Sequence, residues 1–251
     1  MLDVALHAGL GWTVAGLVVA ASFGTSLLTA AFGIGGGGVL LAILASLLPP
    51  AALIPVHGLV QLGSNMGRAA IMFRHRDQTV LVPFTIGALI GVALGGSVVV
   101  QLPPDMLRLG IGLFILWSVL ASPPAFMRRS AAVAGAFSSF LTMFFGGTGP
   151  FVAAYVKTMS FPRMTYVATH ALLMTVQHLL KTVAFGFLGF AFSHWMPLIA
   201  AMIVSGFLGT VAGKHVLARI DEARFMTILN AVLILLSLRL IWSGVSGLIS
   251  P

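Results

Sequence analysis

The chain has 251 residues, of which 59% are apolar types and 7% charged, with 13 Lys and Arg against 5 Asp and Glu and a formal net charge of +8. A soluble domain carries roughly 25% charged residues, so this composition cannot cover a water-facing surface, and most of the exterior must face lipid. The chain has no cysteine, which excludes disulfides, thiol nucleophiles and thiolate metal sites. Its basic residues sit mostly in short gaps between apolar runs, the pattern of cytoplasmic-side retention and not of nucleic-acid binding.

A bilayer core of about 30 Å takes about 20 apolar residues of helix. In chain order, the segment MLDVALHAGLGW lacks a basic n-region and does not read as a cleaved signal peptide. A long apolar stretch follows over 12–48, interrupted by GIGGGG at 33–38. Single helices are expected at 52–73, 80–101 and 105–121, separated by RHRD (74–77) and LPP (102–104). After SPPAFMRRS (122–130) comes a second long stretch, 131–158, interrupted by GGTGP at 146–150. Helices at 164–190, 196–218 and 225–248 complete the chain, with SHW (193–195) and RIDEAR (219–224) as gaps. Glycine runs disfavour helix and Pro150 cannot donate a backbone bond. Each long stretch therefore reads as two short helical pieces around an unwound segment.

The distribution of positive charge chooses between crossing counts. If each broken stretch crosses once, there are eight spans, with Arg74, Arg76, Arg128 and Arg129 on one side and Lys157, Arg163, Arg219 and Arg224 on the other. If each crosses an even number of times, all eight fall together. The second arrangement is preferred, giving roughly ten membrane segments with both termini periplasmic. Eight full spans plus re-entrant segments is the alternative.

The halves resemble each other. At an offset of 113 residues, Phe32, Gly33 and Gly36 fall on Phe145, Gly146 and Gly149, His57 on His170, and Arg68 on Lys181. Further on the offset becomes 118, and Gly91 and Gly95 fall on Gly209 and Gly213. With an odd number of crossings in each half, the repeats (1–125 and 126–251) are inverted within one transmembrane domain. The expected fold is all-α, integral to the membrane, with two inverted repeats of about five segments each and a substrate site near the midplane at their interface.

The glycine breaks are the first candidate site. Non-helical backbone at membrane depth survives only where protein or a water-filled cavity covers it, and helix N-termini attract anions. Gly35, Gly36, Gly37 and Gly38 in one break, and Gly147, Thr148 and Gly149 in the other, would bring backbone N–H groups and one hydroxyl to an anion. The second candidate is a pair of polar stripes. His57, Gln61, Ser64, Asn65 and Arg68 share one helical face, as do His170, Met174, Gln177, His178 and Lys181. All five acids lie near ends or in loops, so Arg68 and Lys181 have no carboxylate in their spans, and a bound anion would supply the missing charge. His57 and His170, on separate helices with no acid or thiol beside them, do not form a metal motif. No P-loop and no nucleophile elbow is present. The glycines at 87, 91, 95, 209 and 213 read as helix-packing faces.

Residues 32–77, FGIGGGGVLLAILASLLPPAALIPVHGLVQLGSNMGRAAIMFRHRD, resemble the first half-signature of the TauE/SafE family of sulfite exporters. GGTGP with the His170, His178 and Lys181 spacing is a shortened second half. The resemblance extends over essentially the whole chain. It implies an inner-membrane permease, not an enzyme, exporting sulfite or an organosulfonate such as sulfoacetate. Its partners would be a small anion and the bilayer, with no nucleic acid and no cofactor; monomer and homodimer both stay open. An anion channel and a non-transport assembly factor are the rival readings.

Overall fold

A computed structural model describes residues 6–32, 35–99, 103–216 and 222–249. Gly33, Arg219 and both termini, all used in the sequence reading, lie outside these residues. The described residues form ten α-helices and no strand: α1 Trp12–Phe32, α2 Gly36–Leu47, α3 Pro50–Ile71, α4 Leu81–Val99, α5 Pro104–Leu120, α6 Ala131–Phe145, α7 Gly149–Lys157, α8 Arg163–Phe187, α9 Phe192–Val216 and α10 Glu222–Ile249.

Both long stretches break at the glycines. Gly35 (φ +104°) and Gly146 (φ +73°) adopt left-handed backbone there, a conformation that costs a side-chain-bearing residue most. The helices that follow the breaks are short, 12 residues for α2 and 9 for α7. At 1.5 Å per residue they reach only about 18 and 14 Å, half a bilayer core. Proline sets several starts: α3 and α5 begin on Pro50 and Pro104, and α8 follows Pro162, residues whose fixed φ suits a first turn.

Several boundaries differ from the sequence reading by two to four residues; α3 is shifted to Pro50–Ile71 from 52–73, and α10 starts at Glu222, within the RIDEAR expected as a gap. Helix α8 stops at Phe187, short of 190, because Gly189 turns left-handed (φ +88°) and terminates the helix. Helix α9 starts at Phe192 and takes in the SHW expected as a gap, since Trp195 is buried in the main core.

Helices α3 and α8 pack against each other at the centre. Their polar stripes are interior: His57, Ser64, Asn65, Arg68, His170, Gln177, His178 and Lys181 are all buried. Around this pair, α4 packs on α6, α9 on α1, and α10 on α5. Among the described residues, four helices contain segments long and apolar enough to cross a membrane: Trp12–Ala30, Leu81–Val99, Phe192–Gly213 and Asn230–Ile249. Their outer faces carry exposed residues such as Ile86, Leu94, Phe207 and Leu235, as lipid contact requires.

Corresponding contacts recur in the two halves. A methyl group added at Gly91 would strike the Ala136 carbonyl, and one at Gly209 the Phe23 carbonyl. At Gly95 and Gly213 it would meet the carbonyls of Phe140 and Leu27. Phe23 and Leu27 precede Ala136 and Phe140 by the same 113 residues that separate the glycine breaks. The glycines at 87, 91 and 95 thus let α4 approach α6, and those at 209 and 213 let α9 approach α1.

Candidate functional site

The two breaks touch. A Cβ on Gly147 would lie 3.5 Å from the Gly38 Cα, and one on Gly146 would lie 3.2 Å from His57 Nδ1. Between the breaks, α3, α8, α5 and α10 enclose a cavity of about 250 Å³. Gly35, Gly37, Gly38, Gly147 and Gly149 line it, with Gln61, Asn65, Arg68, His170 and His178.

Each break is held by a side chain from a central helix. The first backbone bonds of α2 are donated by Gly38 and Val39 to the Gly35 carbonyl, so the N–H groups of Gly36 and Gly37 precede the helical ladder. His57 Nε2 then donates to the Gly37 carbonyl at 2.9 Å, and His170 Nε2 donates to the Gly149 carbonyl at 3.1 Å. In the second break Gln177 joins a chain of bonds: its amide Nε2 donates to Thr148 Oγ1 at 2.6 Å, and Ser138 Oγ donates to its Oε1 at 2.8 Å.

Arg68 is 1% exposed and lies on the cavity wall. Its Nη1 donates to Asn65 Oδ1 at 3.1 Å and its Nη2 to Ser64 Oγ at 3.4 Å, while Nε has no partner. These acceptors are neutral. Arg108 pairs with Asp105, far along the chain on α5, whereas Arg68 is a buried cation held by neutral oxygens. A buried charge without a counter-ion is costly, and a ligand of opposite sign removes that cost.

The structure brings together most of the residues predicted from sequence but divides them by depth. Gly36, His57, Thr148, Gln177 and Lys181 are behind the cavity wall. A Cβ on Gly36 would overlap the Thr25 carbonyl, so this glycine seats α2 on α1. Lys181, fully buried, reaches Thr142 Oγ1 at 3.5 Å, and its Cε would lie 2.6 Å from a Cβ on Gly58. Arg68 and Lys181, equivalent in sequence, are thus not equivalent in exposure to the cavity.

The cavity also takes residues that the sequence reading did not assign to the site: Thr29, Ile115, Ser118, Val119, Gly146, Pro150, Asn230 and Leu233. Two signals pointed to some of them. Asn230 is a lone amide within an apolar span, and such residues face an interior. Ile115 and Leu233 are 118 residues apart, the spacing that relates Gly91 to Gly209. Gln61 with Met174 and Asn65 with His178, pairs 113 apart, face the cavity as well.

No group of three metal-ligating side chains occurs among the described residues. Among the described residues, every charged or imidazole group on the cavity wall is a cation or a histidine. These residues present hydrogen-bond donors and positive charge, and no carboxylate.

A family model described as sulfite exporter TauE/SafE matches residues 18–240. No curated protein and no solved structure matches the chain. The match takes in both glycine breaks, both polar stripes and every residue lining the cavity, and on it the chain belongs to the TauE/SafE sulfite exporter family, a family of membrane transporters.

Proposed function

We propose that the cavity is the oxyanion site of an exporter. The observation that carries this reading is Arg68, buried on the cavity wall with neutral partners, beside two histidines and two helix starts and with no carboxylate among the described residues. Sulfite or a small organosulfonate such as sulfoacetate supplies the missing negative charge. The apolar part of the wall, Ile115, Val119, Met174 and Leu233, accommodates a short carbon tail. Gly35, Gly36, Gly37 and Gly38, with Gly147, Thr148 and Gly149, shape the backbone cradle. Gln61, Asn65, Arg68, His170 and His178 act on the ligand directly, while His57, Gln177 and Lys181 act through the wall they support.

On this reading the two halves are inverted repeats, and the cavity is at their interface near the membrane midplane. Recurrence of helix pairing and of glycine contacts supports it. In a bacterial inner membrane, the interior-negative potential drives an anion outward by about 2.3 kcal/mol per charge per 100 mV, so no fuel other than voltage is required.

The test is sulfite and sulfoacetate efflux from proteoliposomes at clamped potential. Arg68→Ala is expected to lower flux by about 10- to 100-fold at limiting substrate, the equivalent of a lost charge-assisted hydrogen bond. Unchanged flux in a folded variant rejects the site. Currents too large for a carrier, without exchange of labelled anion, would identify a channel instead.

A further inference from the structure

His57 and His170 share an arrangement that anion binding alone leaves unused. Each ring spends Nε2 on a backbone carbonyl at the start of a short helix, Gly37 and Gly149 respectively. A carbonyl oxygen only accepts, so Nε2 carries the hydrogen in both rings. The other nitrogen of a neutral imidazole is then a bare acceptor. Both Nδ1 atoms are buried and have no hydrogen-bond partner. Of the two rings, His170 is the one that lines the cavity.

An oxyanion is also an acceptor, so a neutral His170 offers it nothing at Nδ1. One proton there changes both charge and polarity: Nδ1 becomes a donor, and a second positive charge joins that of Arg68. His178 differs. It lines the cavity too, but neither ring nitrogen has a partner, so its tautomer is not fixed and it can present an N–H without gaining a proton.

The surroundings decide whether the proton would stay without an anion. Helix α3 brings Arg68 and His57, and α8 itself brings Arg163, His178, Lys181 and Tyr166, the last with its ring stacked on His170 at a centroid distance of 6.4 Å. Helix α7 carries Tyr155 and Lys157, the turn Phe73–His75 carries Arg74 and His75, and α4 and α6 carry no titratable group. The loop acid Asp77 donates its backbone N–H to Thr169 Oγ1 at 2.9 Å, but its carboxylate accepts from the Thr79 N–H and hydroxyl. A protonated His170 would therefore share the wall with Arg68 and have no counter-ion until an anion arrives. Proton and anion each favour the binding of the other, and that linkage is reciprocal.

We propose that one proton enters the cavity with each anion and resides on His170 Nδ1 while the anion is bound. This rests on the oxyanion reading of the cavity and adds a co-substrate to it. The N–H bond forms from a solvent proton, or from the anion's own acid form, and breaks when the pair leaves. The transported unit then carries one negative charge fewer than the free anion.

Sulfoacetate is the diagnostic probe, because both its groups are ionised near neutral pH and it brings no proton; sulfite can carry its own. Efflux from proteoliposomes is followed with a lumenal pH dye at clamped potential. The wild type is expected to release one proton per sulfoacetate. A one-unit rise in external pH at fixed voltage should shift the equilibrium sulfoacetate ratio tenfold outward. In His170→Gln the amide can still donate to Gly149 but cannot be protonated, so the flux that remains, lowered by the lost contact, should carry no lumenal pH change. If that variant transports poorly, proton uptake on sulfoacetate binding in weakly buffered detergent reads the same quantity: one for the wild type, none for the variant. Wild-type sulfoacetate efflux without proton movement overturns the proposal. So does a His170→Gln protein that still moves or binds the proton, or a His178→Gln protein that alone loses it. No anion movement by the wild type would instead retire the oxyanion reading.

Discussion

Lys181 shows what a single residue contributes apart from contact. Its ammonium is buried without an acid, and it sits behind the wall and not on it. Replacing it with Met removes a buried charge and retains volume, so Lys181→Met is expected to leave thermal stability unchanged or raised. If its field acts on the bound anion, flux in the same variant should fall by about tenfold, the effect of about 1.4 kcal/mol on transition-state free energy. Glycines in the first break separate just as cleanly. Gly36→Ala would drive a methyl into the Thr25 carbonyl and should cost about 1–3 kcal/mol by overpacking, read as a lowered unfolding temperature. Gly38 faces open space, so Gly38→Ala should fold normally and reduce flux alone, by narrowing the cavity.

Residues of this kind also mark how far a sequence can be read. His57 and His170 were visible as a repeated pair, because equal spacing survives in the primary structure. Their carbonyl partners were not, since a bond over 20 or 21 residues depends on how α2 and α7 are seated. The divergence of Arg68 and Lys181 was hidden for a similar reason: one helical face is shared by wall and underlayer, and only packing assigns depth. Asn230 was missed because one amide in a span of Leu and Ile reads as background.

At the scale of elements, glycine placement was legible and helix ends were less so. The breaks fell where glycine runs and Pro150 put them, because backbone conformational cost is a local property. The start of α9 was not, because burial of Trp195 outweighed a polar Ser-His pair. The α4–α6 and α1–α9 contacts make a stronger prediction than any single site. Gly91→Leu should separate α4 from α6 and Gly209→Leu should separate α9 from α1. Both are expected to lower the midpoint of thermal unfolding, to a similar degree if the halves are equivalent. A large effect in one and none in the other would count against equivalence.

At the scale of the whole molecule, composition alone placed the chain in a membrane, and the four long apolar helices agree with that. Crossing number depends on how the short helices α2 and α7 lie. The arrangement with all eight flanking cations on one side predicts that reporters in the loops 74–77, 122–130 and 158–162 all read cytoplasmic, and that a reporter fused after Pro251 reads periplasmic. A split among the three loops would restore the eight-span alternative. Because the chain has no cysteine, single introduced cysteines at these loops and on the cavity wall can be labelled without a background.

The two histidine–carbonyl bonds have a mechanical side. His57 ties the start of α2 to α3, and His170 ties the start of α7 to α8. Each central helix therefore carries its short helix like a strut fixed to a lever arm, and the two arms meet at Gly38 and Gly147, where the apolar Leu41 side chain of α2 lies against Gly146 and Gly147. A rocking motion would turn on that small apolar contact, so its barrier should be set by the outer helices sliding in lipid, and transport rate should respond to bilayer thickness and fluidity more steeply than ligand affinity does.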